Sequence, residues 1–318
     1  MKHIVECVPN VSEGRNRHVL ESLKAVVSRV PGVSLLDHHM DSDHHRSVLT
    51  FAGEPEAVAE AAFEVVRLGS TVINLIDHVG EHPRIGAVDV LPFIPIRGMH
   101  MAQCVELAKW VGARIGADLN IPVFLYEEAC SIAERRRLED VRRGGLKGLA
   151  SRMATQVQWK PDFGPGALHP TAGGIAVGAR QVLIAYNVTL DIDDVAVAKA
   201  IAKKIRASNG GLPSLKALGI ALQRRRLVQV SMNLVNFHET SITAAFEAVK
   251  READRLGVTI VSSEFVGLVP QEALLHTAGL SLKCHELTIT QVLETQLAMK
   301  QAEAPDVQDP HIEENCHE

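Results

Sequence analysis

Residues 3–16, HIVECVPNVSEGRN, and residues 180–191, RQVLIAYNVTLD, open the two halves of the chain with the same pattern. Each is a short apolar run that ends in Asn-Val followed by Ser or Thr. Each leads into a segment whose apolar residues have helical spacing, residues 17–30 and residues 194–207. This order predicts a strand followed by a helix at the start of both halves.

A second pair of segments strengthens the likeness between the halves. Residues 56–76, EAVAEAAFEVVRLGSTVINLI, and residues 241–263, SITAAFEAVKREADRLGVTIVSS, both predict an Ala-rich helix that leads through Leu-Gly into a strand. Because strand–helix units also resemble one another by chance, a duplication and a chance likeness both remain open. A chain of 318 residues is long enough for two hydrophobic cores.

We therefore predict a fold of the α+β or α/β class with two similar subdomains. Each subdomain is expected to be an open mixed sheet with helices on one side, built from split β-α-β units, with a ligand cleft between the subdomains. The predicted boundaries are residues 1–179 and 180–300, followed by a mobile tail over residues 301–318. Residues 134–159 are polar and interrupted by glycines, which predicts peripheral helix and loop beyond the core sheet.

Composition narrows the class of function. Hydrophobic residues make up 46% of the chain and charged residues 22%, which is typical of a globular protein. The net charge of −5 comes from intermixed signs, so no broad basic surface is expected for nucleic acid or an anionic membrane, and a small-molecule ligand is favoured. The five cysteines form no Cys-x-x-Cys pair, and no signal peptide or membrane span is evident, which predicts a cytoplasmic protein.

Residues 35–48, LLDHHMDSDHHRSV, contain two Asp-His-His triplets and raise the question of a metal. Alternate residues of a strand share a face, so Asp37, His39 and Asp41 could converge on a cation in a metal-dependent hydrolase. Such a site also needs ligands from neighbouring strands, and residues 3–16 contain no Asp-x-Asp. We favour the alternative, a polar strand end with solvated side chains.

Residues 77–95, DHVGEHPRIGAVDVLPFIP, are the first candidate for chemistry. Glycines and a proline place His82 and Arg84 on irregular backbone between strands, where reactive side chains are commonly presented. Histidine titrates near neutrality and can act as a general acid or base, while arginine binds carboxylates through two parallel hydrogen bonds. A structural ion-pair cluster with Glu81 and Asp89 is the alternative.

Residues 161–180, PDFGPGALHPTAGGIAVGAR, form the second candidate. Glycines allow close approach of the backbone, and Phe163 and His169 could stack on a flat heteroaromatic ligand. The segment lacks the Gly-Lys-Ser/Thr of a phosphate-binding loop and precedes a strand, so phosphate binding is not favoured. A hinge between the halves is the alternative.

Two asparagines are further candidates for ligand contacts. Asn233 alternates with Gln229 and Ser231 along a predicted central strand, and these side chains could bind a ligand or face solvent. Asn10 occupies the end of the first predicted strand.

Seven segments resemble the formiminotransferase domain family in order and spacing, from about His3 to Leu282. They are VECVPNVSEGRN, RSVLTFAG, GEHPRIGAVDVLPFIP, IPVFLYEEA, WKPDFGPGALHPTAGGIAVGAR, QVSMNLVNF and FVGLVPQEALL. The resemblance implies transfer of a formimino group between N-formimidoyl-L-glutamate and tetrahydrofolate in histidine breakdown, with tetrahydrofolate as co-substrate and no metal. It also implies two α/β subdomains with a folate tunnel between them, and a homodimer.

The resemblance assigns residues by position. His82 is expected to be the catalytic acid and base. The expected folate and substrate contacts are Phe163, Gly164, Pro165, Gly166, Ala167, Leu168, His169, Pro170, Thr171, Ala172, Arg84, Asn10 and Asn233. The family carries an acidic residue where His39 stands, so Asp41 or Asp43 is a candidate to replace it.

Three other functions remain open. The first is formyl transfer from N-formylglutamate on the same scaffold. The second is a metal-dependent hydrolase that uses the Asp-His-His triplets. The third is a folate-binding or assembly module that catalyses no reaction. Animal members of the family continue into a cyclodeaminase domain, so only the transferase step is expected here.

Overall fold

The computed structural model describes most of the chain, in the ranges 3–42, 44–78, 83–222, 225–284 and 287–296 together with residue 298. The chain divides into two compact units, Met1–Val182 and Leu183–Glu318. No helix in the described ranges is both long and apolar enough to cross a membrane. The tail over residues 301–318, predicted to be mobile, lies outside the described residues.

Within its described residues, the first unit is a seven-stranded mixed sheet with five α-helices. Its strands are β1 (Ile4–Cys7), β2 (Asn10–Val11), β3 (Val33–Asp41), β4 (Arg46–Gly53), β5 (Val88–Arg97), β6 (Val123–Glu127) and β7 (Ile175–Ala179). Its helices are α1 (Arg17–Ser28), α2 (Pro55–Val72), α3 (Met101–Asp118), α4 (Leu138–Val141) and α5 (Gly145–Thr155).

Strands β1 and β2 are two parts of one interrupted central strand between β4 and β5. Both pair antiparallel with β4 and with β5, and β3 extends the sheet beyond β4. On the other side, β5, β7 and β6 pair in parallel. Local signals start the helices: Asn16 accepts a hydrogen bond from the backbone of His18 at the start of α1, and Pro55 is the first residue of α2.

The parallel part of this sheet, β5, β7 and β6, is covered on both faces. Helices α1, α2 and α3 pack on one face with residues such as Leu23, Val65 and Ile115. The opposite face carries a second cluster, in which Phe124 and Tyr126 of β6 pack with residues from the segment 138–159. That segment was predicted to lie beyond the core sheet, and this prediction is wrong. Parallel strands buried on both faces need a second covering layer, so the predicted single helical layer does not describe this unit.

The second unit is a four-stranded sheet covered by helices on one face. Its elements are β8 (Ile184–Leu190), α6 (Val195–Ile205), β9 (Leu215–Leu222), β10 (Leu227–Leu234), α7 (Ile242–Arg255), β11 (Ile260–Val266) and α8 (Gln271–Leu282). The strand order is β11-β8-β10-β9, and each neighbouring pair is antiparallel. Strand β10 lies between β8 and β9, and β8 lies between β10 and β11, which makes two split β-α-β units.

The same topology is present in the first unit, where β3-β4-(β1, β2)-β5 has the strand order of β9-β10-β8-β11. The helices and first strands of the paired segments occupy equivalent places, since both halves open with the first strand and both Ala-rich segments form the second helix. The strand predicted after Leu68-Gly69 is wrong, because α2 continues to Val72 and a 3-10 helix, Leu75–Asp77, follows it. The predicted α+β fold with two similar subdomains is confirmed. The mixed sheet belongs to the first unit, and the described sheet of the second is antiparallel at all three pairings.

Candidate functional site

Backbone contacts connect residues 77–95 with residues 161–180, the two candidate segments of the sequence. Gly86 pairs with Gly173 in an isolated β-bridge, and the Ala87 N–H donates to the Ala172 carbonyl at 2.9 Å. A Cβ atom added at Gly86 would lie 1.9 Å from the Gly174 carbonyl oxygen, so only glycine permits this approach. The segment that follows His82 and the predicted folate loop, residues 163–172, therefore lie side by side.

A buried ion pair fixes the start of the folate loop. The Asp162 carboxylate accepts two hydrogen bonds from the Arg135 guanidinium, at 2.8 and 3.3 Å, and others from the Ser131 hydroxyl and the Leu125 N–H. The Arg135 and Asp162 side chains are only 4% and 9% exposed. Burial lowers the pKa of Arg135, and the Asp162 charge opposes this. The loop thus begins from a rigid anchor.

Phe163 and Gly164 pack against helix α3. The Phe163 ring is half-buried against the main core, and a Cβ atom added at Gly112 would lie 3.3 Å from it. Gly164 has φ +84°, and a Cβ atom added at Gly116 would lie 2.6 Å from its backbone nitrogen. The ring of Phe163 therefore contributes to packing at the base of the loop, and its predicted contact with a ligand stays a prediction.

The middle of the loop is the accessible part. Gly166 and Ala167 are exposed, and no described atom lies within 4 Å of a Cβ atom added at Gly166. Pro165 is half-buried, while Leu168 packs against the cluster on the second face of the sheet. Residues 165–167 are therefore the part of the loop best placed to meet a ligand.

The end of the loop is a tight turn around His169 and the exposed Pro170. His169 and Gly173 exchange two backbone hydrogen bonds, at 2.9 and 3.0 Å. The His169 Nδ1 atom accepts hydrogen bonds from the Ala172 N–H at 3.0 Å and the Thr171 N–H at 3.4 Å. Gly173 has φ +71°, the left-handed conformation that glycine adopts readily. The imidazole therefore holds its own turn together.

Arg84 belongs to a chain of polar contacts in the first unit. Its guanidinium contacts His78 Nε2 at 3.3 Å, and the His78 ring stacks on His45 with centroids 3.9 Å apart. His45 Nε2 lies 3.1 Å from a carboxylate oxygen of Glu13. Burial lowers the pKa of Arg84. His82, the predicted acid and base, lies outside the described residues, between His78 and Arg84 in the sequence.

Glu13 is held in place from several sides. Burial alone raises the pKa of its carboxyl, but hydrogen bonds from the backbone of Asn16 and Arg15 and from His45 bring the pKa below its ordinary value. His45 ends the second Asp-His-His triplet, which the sequence indicated as either a metal ligand or a solvated strand end. Its place beside His78 was missed because a contact between two irregular segments leaves no periodic signal.

Asp89 forms an ion pair with Arg142, which lies outside the segment of residues 77–95, and Glu81 lies outside the described residues, so the alternative of an ion-pair cluster within that segment stays a prediction. Its buried carboxylate accepts hydrogen bonds from Arg142 Nε at 2.8 Å and from the Ile85 N–H at 2.6 Å. Arg46 lies nearby: burial and the charge of Arg142 lower its pKa, while Asp41 and Asp89 oppose the shift. Asp89 therefore attaches the segment after His82 to helix α4 and shapes the backbone there.

The two candidate asparagines lie in different units. Asn10 Nδ2 donates to the Val8 carbonyl at 3.2 Å, and its Oδ1 accepts from Arg46 at 3.3 Å. Asn233 is exposed on β10, between the buried Met232 and Leu234. Asn10 thus adjoins the charged cluster of the first unit, and Asn233 faces away from the helices of the second.

The first Asp-His-His triplet does not form a recognisable metal centre. Within the described ranges, no group of three or more His, Cys, Asp or Glu side chains is arranged to hold a metal ion. His39 is exposed, and Asp41 accepts hydrogen bonds from the N–H and from Nδ1 of His44, at 2.9 and 2.8 Å. These contacts are typical of a polar strand end. Asp43, the other candidate to replace the family's acidic residue, lies outside the described residues.

Comparison with known proteins agrees with this geometry. Residues 4–180 match the formiminotransferase domain, N-terminal subdomain, and residues 185–307 match the formiminotransferase domain. Glutamate formimidoyltransferase of Streptococcus pyogenes serotype M1 is 45% identical over 298 residues, covering 93% of this chain and 99% of that protein. The enzyme of the same name from Thermoplasma acidophilum is 41% identical, covering 92% of this chain and 97% of its own. Formimidoyltransferase-cyclodeaminase of Mus musculus is 41% identical over 88% of this chain but only 52% of its own length. The chain belongs to the formiminotransferase domain family.

Proposed function

We propose that the protein is a glutamate formimidoyltransferase, which transfers a formimino group between N-formimidoyl-L-glutamate and tetrahydrofolate. Two relatives that match it along nearly their whole length carry that name. The observation that carries the proposal is the backbone pairing of Gly86 with Gly173. It supports a single site built from the segment after His82 and the folate loop.

The reaction needs two proton movements. When N5 of tetrahydrofolate attacks the formimino carbon, a new C–N bond forms and N5 loses its proton. When the C–N bond to glutamate breaks, the departing nitrogen gains a proton. A single histidine can accept the first proton and donate the second, a role that typically contributes 10²- to 10⁴-fold, and we assign it to His82. Alignment of the two reactants contributes more to the rate than this proton transfer does.

Arg84 is our candidate for binding a carboxylate of the glutamate substrate. Its guanidinium can make two parallel hydrogen bonds to a carboxylate. The contact with His78, and through it the stack with His45 and the link to Glu13, supports a fixed position for Arg84. In this proposal the polar chain positions the arginine and does not itself react.

The direct test is to measure transfer to tetrahydrofolate in wild-type protein, His82→Ala and His18→Ala. His18 is exposed on α1 and serves as a matched control. We expect kcat to fall about 10²- to 10⁴-fold in His82→Ala and to be unchanged in His18→Ala. Equal rates in all three proteins would remove His82 from the mechanism, and no transfer by the wild type would refute the function.

The same assay with N-formylglutamate separates formimino from formyl transfer, because the two donors differ only in NH versus O at the transferred carbon. We expect a higher kcat/KM for the formimino donor. A higher value for the formyl donor would replace the proposed substrate.

We also propose that the protein is a homodimer and acts in the cytoplasm. In this proposal it takes part in histidine breakdown and requires no metal. Sedimentation equilibrium of the purified chain tests the oligomeric state, and a mass of one chain at all concentrations would contradict the dimer.

A further inference from the structure

The contact between Arg84 and His78 determines which nitrogen of the His78 ring carries a proton. The Arg84 Nη1 atom lies 3.3 Å from His78 Nε2. A guanidinium has hydrogen-bond donors but no acceptor, so His78 Nε2 has to accept this hydrogen bond. The neutral imidazole therefore carries its proton on Nδ1. A protonated imidazole would lose the acceptor and place a second positive charge beside the guanidinium.

His45 lies against the His78 ring and contacts an anion. The two rings are stacked, with centroids 3.9 Å apart and an angle of 18° between their planes. His45 Nε2 lies 3.1 Å from a Glu13 carboxylate oxygen, which also accepts hydrogen bonds from the N–H groups of Arg15 and Asn16, at 2.8 and 2.9 Å. A nearby opposite charge favours the charged form of a histidine, and a like charge disfavours it. A proton added to the stack is therefore stabilised on His45, beside the carboxylate, and not on His78.

The backbone fixes the Glu13–His45 pair. His45 has φ 51°, a left-handed conformation that is uncommon for residues other than glycine. A Cβ atom added at Gly14 would lie 2.1 Å from the Asp41 carbonyl oxygen and 2.3 Å from the Arg46 backbone nitrogen. The segment that carries Glu13 therefore lies directly against the turn that carries His45.

Other charges also act on Arg84. Burial lowers the pKa of its guanidinium, the charge of Asp89 opposes this shift, and the charge of Arg15 adds to it. A cationic His78 would thus be a second positive neighbour of Arg84. Glu81 and His82, the other titratable residues between His78 and Arg84, lie outside the described residues.

We propose that His78 is a positioning residue that acts only in its neutral form, and that the Glu13–His45 pair keeps it neutral by taking the charge of the stack. This inference rests on the proposed function, in which Arg84 binds a carboxylate of N-formimidoyl-L-glutamate. Neutral His78 restricts the positions that the guanidinium can adopt. Protonation of His78 removes this restriction and adds a repulsion, so the affinity for the glutamate substrate should decrease at acidic pH.

Steady-state kinetics of the wild type, His78→Gln and His78→Leu between about pH 5.5 and 8 test the proposal, because histidine titrates in this range. Glutamine offers an amide oxygen as acceptor and does not titrate, whereas leucine offers no acceptor. At about pH 8 we expect His78→Gln to keep the wild-type KM for N-formimidoyl-L-glutamate. His78→Leu should raise this KM on the order of tenfold and leave kcat and the KM for tetrahydrofolate unchanged.

The pH dependence is read from the wild-type KM divided by the KM of His78→Gln, because titrations that the two proteins share cancel in this ratio. We expect the ratio to rise as pH falls, since only the wild type loses its acceptor. His18→Gln is the matched control, because His18 is exposed on α1, and its ratio should not depend on pH.

A ratio for His78→Gln that is independent of pH would overturn the inference. Equal rises in the KM values for both substrates in His78→Leu would also overturn it, because they would indicate a structural role alone. A wild-type protein that transfers no formimino group refutes the proposed function itself.

The tautomer of His78 is measured independently of activity. In wild-type protein labelled with ¹⁵N in its histidine side chains, NMR chemical shifts distinguish protonated from unprotonated ring nitrogens, and through-bond correlations assign the His78 signals. We expect a protonated Nδ1 and an unprotonated Nε2 at about pH 8. The opposite tautomer would overturn the inference even in an active enzyme, and the expected tautomer supports it even if neither His78 variant folds.

Discussion

Arg135 and Asp162 form a buried pair whose partners depend on each other. Replacing Arg135 with methionine keeps much of the volume but leaves the Asp162 carboxylate buried without its charged partner. Such a change typically costs about 3–5 kcal/mol. We expect Arg135→Met to lower the free energy of unfolding by about that amount and to weaken tetrahydrofolate binding. Urea denaturation followed by circular dichroism measures the first effect, and ligand titration measures the second.

The neighbouring arginine provides the control. Arg136 is 57% exposed and pairs with Glu128 at the surface. Exposed pairs contribute about 0–1 kcal/mol, so Arg136→Met should change stability little. Losses of similar size in the two variants would show that the Asp162 anchor has no special role.

Glu6 gives a prediction that depends on pH. Burial raises the pKa of its carboxyl from 4.5, and the charge of Arg180 only partly offsets this. A carboxyl with a higher pKa in the folded state binds its proton more tightly there, so stability falls as pH rises from the ordinary value through the raised value. We expect Glu6→Gln to be more stable than the wild type at about pH 7, with the difference vanishing below about pH 4.

Urea denaturation of both proteins across that pH range tests the sign. A Glu6→Gln protein that is less stable than the wild type near neutral pH would mean that the attraction to Arg180 outweighs burial.

Sequence reasoning identified some residues of the candidate site and not others. Arg84, His169 and the folate loop stand out because glycine, proline and histidine cluster in short irregular segments. His45 stands out only as part of an Asp-His-His triplet, and Arg135 does not stand out at all. The partners of both residues are distant in the chain, and only the folded structure brings them together. Contacts of this kind depend on tertiary packing, which periodicity does not encode.

Helix α3 and the folate loop depend on a close approach between two glycines. A Cβ atom at Gly116 would lie 2.6 Å from the backbone nitrogen of Gly164, so the start of the loop has to shift. Alanine is otherwise favoured over glycine inside a helix by about 1 kcal/mol. A lower free energy of unfolding in the variant would therefore show that the added Cβ atom clashes with the loop. We expect Gly116→Ala to lower the free energy of unfolding by about 1–3 kcal/mol and to weaken folate binding.

Gly166 is the matched control for stability, because a Cβ atom there meets no described atom within 4 Å. Gly166→Ala should change the free energy of unfolding by less than about 0.5 kcal/mol. If the Gly116→Ala and Gly166→Ala proteins have the same free energy of unfolding, the loop shifts away from the added Cβ atom with no loss of stability.

At the level of elements, the main error concerned residues 134–159. Its charged and glycine-rich sequence indicated a peripheral segment, yet Val141, Leu149 and Trp159 are buried against the sheet. A few widely spaced apolar residues suffice to cover a small sheet face, and they give a weak periodic signal. The apolar strands β6 and β7 held the better clue, because strands apolar on both faces need cover on both.

Both units have one topology, which the paired segments indicated as one of two alternatives, the other being a chance likeness. The direction of strand pairing could not be anticipated, since an apolar run alone does not distinguish a parallel from an antiparallel partner. The same limit explains why three parallel strands in the first unit and a fully antiparallel described sheet in the second were both expected simply as mixed sheets.

Removal of metal ions tests whether the reaction of the whole molecule depends on a metal. We expect protein treated with a chelator to transfer the formimino group as fast as untreated protein. The reaction forms one C–N bond and breaks another, and a histidine can carry out both of the proton transfers that accompany these steps. The assay is run before and after chelation and again after adding back Zn²⁺ or Mg²⁺. Activity that disappears and returns with the ion would favour the metal-dependent alternative.

The bridge between Gly86 and Gly173 connects residues more than eighty positions apart. A contact of such long range closes a large loop of chain, and other contacts have to offset the chain entropy that is lost on closure. During synthesis, a nascent chain that still lacks residue 173 cannot make this contact. The proposed folate site should therefore form late in translation, once nearly all of the first unit has left the ribosome.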